Sequence, residues 1–84
     1  MTIDQAREWL RIDGTDNDEI ISNLLEGAKV YIYQATGILD KDQDANPLAV
    51  TCQKFLLSLW YNPDQSEADK LQRTIDNLLK SLSY

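Results

Sequence analysis

The stretch from Asp16 to Gly37, DNDEIISNLLEGAKVYIYQATG, decides the fold of this 84-residue chain. Its apolar side chains recur every three or four residues, which is the spacing of one face of an α-helix. That face comprises Ile20, Ile21, Leu24, Leu25, Ala28, Tyr31, Ile32 and Ala35. Asp18 and Glu19 precede it, where the positive end of the helix dipole lies, and Gly37 follows as a stop. The pattern predicts a helix over residues 18–36, about 28 Å long at ~1.5 Å per residue.

Two further helices are predicted near the ends of the chain. Thr2 and Gln5 form a capping-box pattern that begins the first helix, and Gly14 limits its reach. Ser66 and Asp69 form a similar pattern before the last helix. The apolar positions are Ile3, Ala6, Trp9 and Leu10 in the first helix and Leu71, Ile75, Leu78, Leu79 and Leu82 in the last.

The third helix follows a polar acidic loop over residues 38–46 and is apolar on two sides. Asn46-Pro47 begins it as N-cap and first helical residue, and Asn62-Pro63 ends it. One side carries Leu48, Cys52, Phe55, Leu56, Leu59 and Trp60, and the other carries Val50, Leu57 and Tyr61. A helix that is apolar on both sides is normally buried on both. We therefore predict an all-α fold without strands: one small four-helix domain over residues 1–84, with a long second helix and a central apolar third helix.

The excess of acidic residues lies in the first half of the chain. The chain has 14 Asp and Glu against 8 Lys and Arg, a formal net charge of −6. Residues 45–84 are neutral, so residues 1–44 hold all of the excess. The basic residues form no cluster, whereas binding to phosphate needs one. Tight binding to nucleic acid is therefore not expected.

Residues that could bind a metal or carry out catalysis are scarce. The chain has no histidine and a single cysteine. Asp40, Asp42 and Asp44 have the spacing of the first three ligands of a calcium-binding helix–loop–helix. Ala45 stands where that loop needs glycine, and Thr51 where it needs glutamate. We predict no metal site, no cofactor and no enzymatic activity. No apolar run approaches the ~20 residues of a membrane span, and no signal-peptide pattern is present.

Surplus apolar residues lie on the backs of the second and third helices. They are Val30, Tyr33, Val50, Leu57 and Tyr61, and they form the candidate subunit interface. Two interpretations are open: the other helices cover them, or a second subunit does. A chain this short buries only roughly 60–65% of its unfolded surface, so oligomerisation would add stability.

A helix–turn–helix DNA-binding protein is an alternative that four short helices allow. Its second helix would place Asp16, Asp18 and Glu19 against the phosphate backbone, which like charges disfavour. An acidic helical DNA-binding or regulatory module stays open as a function, as does an adaptor for another protein.

Three strings in the first half resemble the N-terminal half of the head–tail connector proteins of tailed phages and prophages. They are WLRIDG at residues 9–14, DNDEII at 16–21 and LLEGA at 24–28. These proteins are also called adaptor, head-completion or DNA-packaging proteins. The resemblance continues in shorter segments: YI at 31–32, ATG at 35–37, Pro47, WYN at 60–62, and Leu78, Leu79, Leu82 and Tyr84.

The resemblance implies a structural subunit of a ring, commonly about twelvefold, that sits beneath the portal vertex. The implied partners are further copies of the chain, the portal protein, and the next connector or a tail protein. DNA would only pass through the channel, where an acidic lumen repels phosphate and lets the duplex slide. The implied locations are the host cytoplasm during assembly and the head–tail junction of the virion, with no membrane and no cofactor involved.

Overall fold

A computed structural model describes residues 1–61 and 65–82, and within these ranges the chain is helical without strands. The helices are α1 (Ile3–Leu10), α2 (Asp18–Thr36), α3 (Asp40–Gln43), α4 (Pro47–Tyr61) and α5 (Gln65–Leu82). The predicted all-α domain of four helices is confirmed in α1, α2, α4 and α5, with α3 as an addition. None of the described helices is both long and apolar enough to cross a membrane.

The caps predicted from the sequence fix the ends of the first two helices. The Thr2 hydroxyl accepts a hydrogen bond from the Gln5 backbone N–H at 3.2 Å, and the Gln5 side chain accepts one from the Thr2 N–H at 2.9 Å. Gly37 ends α2 in the left-handed conformation with φ 80°. In α1 the helix ends earlier than Gly14, because Arg11 already takes the left-handed conformation with φ 58°.

The predicted loop over residues 38–46 is wrong for its central part. The N–H groups of Asp42 and Gln43 donate to the Leu39 carbonyl at 2.9 and 3.0 Å, which closes the single turn of α3. The predicted stop at Asn62-Pro63 lies outside the described residues, as does the side chain of Ser66 in the predicted cap of α5.

The prediction of a central apolar third helix is confirmed in α4. It packs against α1, α2, α3 and α5, and α2 likewise contacts every other helix. Within the described ranges α1 and α5 do not contact each other. The α2–α4 pair is therefore the framework on which the other helices are placed.

Two clusters of buried side chains explain why α4 is apolar on two sides. One is formed by Ala28, Ile32, Cys52, Leu56, Ile75 and Leu79, from α2, α4 and α5. The other is formed by Met1, Ala6, Ile21, Leu25 and Leu57, from the N-terminal segment with α2 and α4. Burying each large aliphatic side chain stabilises the fold by about 1.5–3 kcal/mol.

The buried line on α2 is narrower than the apolar face predicted for it. The buried positions are Ile21, Leu25, Ala28 and Ile32, which follow one another at intervals of three and four residues. Ile20 is 56% exposed and Ala35 is also exposed, so the prediction is wrong for these two, whereas Tyr31 is 37% exposed and packs edge-on against the ring of Trp60. The neighbouring helices cover only a strip of α2.

Candidate interaction surfaces

The five residues predicted to form a subunit interface occupy different environments. Val30 and Tyr33 are 51% and 48% exposed on α2, and Val50 is half-buried on α4. Tyr61 is half-buried, and its hydroxyl accepts a hydrogen bond from the Asn17 side chain at 3.0 Å.

Leu57 is corrected from a candidate interface residue to a core residue. It has no exposed surface, because Ala6 of α1 and Ile21 and Leu25 of α2 belong to the same buried cluster. The interpretation that other helices cover the back of α4 therefore holds for Leu57. On the back of α2, by contrast, Val30 and Tyr33 remain about half exposed.

One exposed surface lies between α2 and α3. It is a shallow groove of about 280 Å³, and we call it the α2–α3 surface. Its residues are Glu26, Lys29, Val30, Tyr33, Leu39 and Asp40. Leu39 is 46% exposed, so three neighbouring apolar or aromatic side chains are each about half exposed. That patch is available to another molecule.

A pair of buried glutamines holds α3 in place beside α2. The Gln43 side-chain amide donates to the carbonyls of Lys29 and Ile38 at 2.9 and 3.0 Å. The Gln53 amide on α4 donates to Gln43 Oε1 at 2.9 Å. Both side chains are fully buried, and buried amides need such partners. The network therefore fixes the position of α3, and with it the shape of the α2–α3 surface.

An ion cluster forms the rim of this surface. Lys29 Nζ lies 3.1 Å from Asp40 Oδ1 and 3.6 Å from Asp44 Oδ2, and the Met1 ammonium binds the Asp44 carboxylate. Burial alone disfavours the charge of Lys29, but the two carboxylates outweigh it and raise the pKa of the ammonium. The hydrogen bond from the Met1 ammonium is the main cause that lowers the pKa of Asp44.

Two of the three acidic residues of the calcium-like motif are thus in contact with cations of their own chain. Asp40 and Asp44 both face Lys29. Within the described residues, no three His, Cys, Asp or Glu side chains are grouped so that they could hold a metal ion.

A second exposed surface lies between α1 and α4. It is a wider groove of about 620 Å³, and we call it the α1–α4 surface. Its residues are Gln5, Glu8, Trp9, Arg11, Val50 and Lys54. Within residues 1–61 and 65–82, no ion pair involves Arg11 or Lys54.

The indole of Trp9 is fixed at the centre of the α1–α4 surface. Its N–H donates to the Lys54 carbonyl at 2.9 Å and to the Ser58 hydroxyl at 2.8 Å. Its ring lies 6.3 Å from the ring of Phe55, and Lys54 Nζ lies 5.4 Å from the Trp9 ring centroid. Trp9 is nevertheless 39% exposed. It combines a rigid position with an accessible aromatic face.

The whole chain matches one family model. Residues 1–84 match the phage gp6-like head-tail connector protein. The chain belongs to this family. A search of curated proteins and a search of solved structures found no match. The family consists of structural phage proteins found at the head–tail junction of the virion, where they assemble with portal and tail proteins.

The chemistry available in this connector suits binding between proteins. The Cys52 thiol is fully buried, and burial raises its pKa to about 11, so it stays protonated within the core. The accessible groups of both surfaces are aromatic rings, aliphatic side chains and paired or single charges. Aromatic residues and arginine are enriched at protein–protein interfaces.

Sequence patterns indicate only part of these surfaces in the connector. Val30 and Tyr33 can be recognised from the sequence as surplus apolar residues, because they lie off the main apolar face of α2. Leu39 is a single apolar residue in an acidic segment, which is a weak signal. Nothing in the sequence pattern indicates that Trp9 is exposed, because its spacing in α1 is that of a core residue. The role of Gln43 depends on a partner ten residues away on another helix.

Proposed function

We propose that this connector assembles as a ring, about twelvefold, beneath the portal vertex of a phage head. The ring would join the portal protein to the next connector or to a tail protein. The match of the whole chain to the connector family is the observation that carries this proposal. Assembly would begin in the host cytoplasm and leave the protein at the head–tail junction.

The exposed side chains of the domain support a role in assembly. Tyr33 and Trp9 are of the residue types that dominate binding energy at protein interfaces. Neither is needed to fill the core, because the two buried clusters are formed by other residues. Val30 and Leu39 extend the apolar area around Tyr33. Contact with other subunits or with the portal would bury this area.

We further propose that DNA passes through the ring without tight binding. The chain carries a net charge of −6, and the excess lies in residues 1–44. Arg7 is counted in this net charge but is not free to bind phosphate, because its Nε lies 3.0 Å from Asp18 Oδ1 and its Nη2 binds Asp4. Lys29 is likewise held by Asp40. A surface of unpaired carboxylates repels phosphate, so DNA would move past it.

Electron microscopy of the portal with the connector tests the proposal. Portal particles mixed with the purified connector should show an added ring that particles without it lack. Portal from an unrelated phage, which should gain no ring, is the control. No association with its own portal would contradict the proposed function.

A gel-shift assay at low salt tests the alternative of a DNA-binding or regulatory module. Electrostatic binding to DNA is strongest at low salt, so a DNA-binding protein must show affinity there. We expect no shift at micromolar protein. A shift would contradict free passage of DNA and favour the alternative.

A further inference from the structure

We infer that the α1–α4 surface of one subunit binds the α2–α3 surface of the next. This inference rests on the proposed ring and specifies how its subunits contact one another. The occupant of each surface is therefore a second copy of the same chain.

A ring of more than two subunits requires two different surfaces on every copy. Each subunit contacts one neighbour on one side and another neighbour on the other, so the contact is heterologous. The two surfaces described above share no residue. They are also formed by different helices, α1 with α4 and α2 with α3. The domain therefore offers the two separate surfaces that ring closure needs.

The charges of the two surfaces are opposite. The α2–α3 surface carries Glu26 and Asp40 against Lys29, so acid is in excess. The α1–α4 surface carries two bases and one acid. A contact between two α2–α3 surfaces would bring like charges together, which opposes association. A contact between unlike surfaces pairs acid with base, so charge selects the heterologous arrangement.

The cations of the α1–α4 surface are available for such a contact. Within the described part of the chain, Arg11 and Lys54 take part in no ion pair. The contrast with Lys29 is informative, because Lys29 is held by Asp40 and Asp44 of its own chain. Among the described residues, the charges of Arg11 and Lys54 are therefore open to a carboxylate of a neighbouring copy.

The uncharged parts of the two surfaces also match. Tyr33, Val30 and Leu39 are each about half exposed on one side. Trp9 is 39% exposed on the other, with Val50 beside it. Two hydrogen bonds already fix the indole of Trp9 in the free subunit. Binding therefore costs little side-chain conformational entropy at this residue. In this arrangement the apolar patch that contains Val30 and Tyr33 faces the surface that contains Trp9 and Val50.

Charge reversal tests this arrangement with two variants, Glu26→Lys and Lys54→Glu. In each variant alone, every interface of the ring would join like charges, and connector bound to the portal should fall about tenfold or more. In an equal mixture, the two variants can alternate around a twelvefold ring. Every interface then pairs a base with a carboxylate again, so the mixture should recover most of the binding of the wild-type protein.

Matched controls separate folding from assembly. Both variants should keep the helical circular dichroism and the melting temperature of the wild type within a few degrees. Lys80→Glu on α5, an exposed lysine outside both surfaces, should leave portal binding unchanged.

The outcomes distinguish this inference from the proposed function. If the wild-type protein forms a ring but the mixture shows no recovery, the surfaces are assigned wrongly while the ring stands. If only Glu26→Lys reduces binding, the α2–α3 surface meets something other than Lys54 and the inference is overturned. If the wild type adds no ring to its portal, the proposed function fails as well.

Discussion

Two isoleucines on α2, Ile32 and Ile20, have opposite environments although they belong to one helix and one apolar pattern. Ile32 is completely buried among residues of α4 and α5, whereas Ile20 is 56% exposed. The inner side of α2 forms the core of the subunit, and part of its outer side forms the α2–α3 surface. An apolar pattern thus predicts that side chains will be buried. Tertiary packing decides which of them are buried by the other helices of the same subunit.

The largest change in the free energy of unfolding is expected from a substitution on the buried side of α2. Ile32→Ala leaves a cavity between α2, α4 and α5 and should lower the free energy of unfolding by about 2–5 kcal/mol. Ile20→Ala removes the same atoms from the exposed side and should change it by less than about 0.5 kcal/mol. Urea unfolding followed by circular dichroism measures both. Similar losses in the two variants would contradict the described burial.

A smaller loss of stability is expected when the pair of buried glutamines that positions α3 is disrupted. Gln43→Ala leaves the buried amide of Gln53 without its acceptor, and should cost about 1–3 kcal/mol in the free energy of unfolding. Gln34→Ala on the exposed part of α2 is the matched control and should cost little. Thermal melts compare the two variants. An equal melting temperature for both would mean that the glutamine pair does not stabilise α3.

Two glycines, one within α2 and one directly after it, allow the same comparison to be made for the backbone. Gly27 is helical, and an added Cβ would lie 3.6 Å from Trp60, an ordinary van der Waals contact. Gly27→Ala should therefore stabilise the protein by about 0.5–1 kcal/mol, because alanine favours the helix. Gly37 has φ +80°, so Gly37→Ala should destabilise by about 1 kcal/mol. Melting temperatures that move in the same direction for both would contradict this assignment.

The smallest effect concerns the ion cluster at the rim of the α2–α3 surface. The pKa of Asp44 is lower in the folded protein than its ordinary value of 3.8. Ionised Asp44 therefore stabilises the fold at pH values above that value, and the contribution is lost as the pH falls through the folded-state pKa. Asp44→Asn should melt below the wild type at neutral pH.

The pH dependence provides the control for this last prediction. The difference in melting temperature between wild type and Asp44→Asn should shrink as the pH falls through the folded-state pKa of Asp44, and disappear once the carboxyl is protonated in both states. Asp42→Asn removes an exposed carboxylate that has no ion pair among the described residues, and should show a smaller difference at neutral pH. A difference for Asp44→Asn that persists in acid would indicate a cause other than charge.

Local interactions explain which parts of the fold could be predicted from the sequence. The bounds of α2 agree with the prediction because charge at its start and Gly37 at its end act within a few residues. The capping box of Thr2 and Gln5 is local in the same way. The central position of α4 agrees with its two apolar sides, since a helix that is apolar on both sides is normally buried on both.

Features that depend on distant partners could not be predicted in this way. The turn of α3 is stabilised by Gln43, whose partners lie on α2 and α4. Leu57 is buried because it packs in one cluster with Ala6 of α1 and with Ile21 and Leu25 of α2, and the sequence of α4 does not contain that information. The α1–α4 surface combines Trp9 with Lys54, which are 45 residues apart in the chain. The family resemblance predicts assembly, and only the packing of the helices shows which residues remain free for it.

The contact of α4 with every other helix has a consequence for how the protein unfolds. Since both buried clusters draw on α2 and α4, neither cluster can open without exposing part of the other. The domain should therefore unfold in one cooperative two-state transition. If the proposed ring forms, its subunits are folded before they meet, so we expect its rate of assembly to depend on collision and orientation rather than on coupled folding.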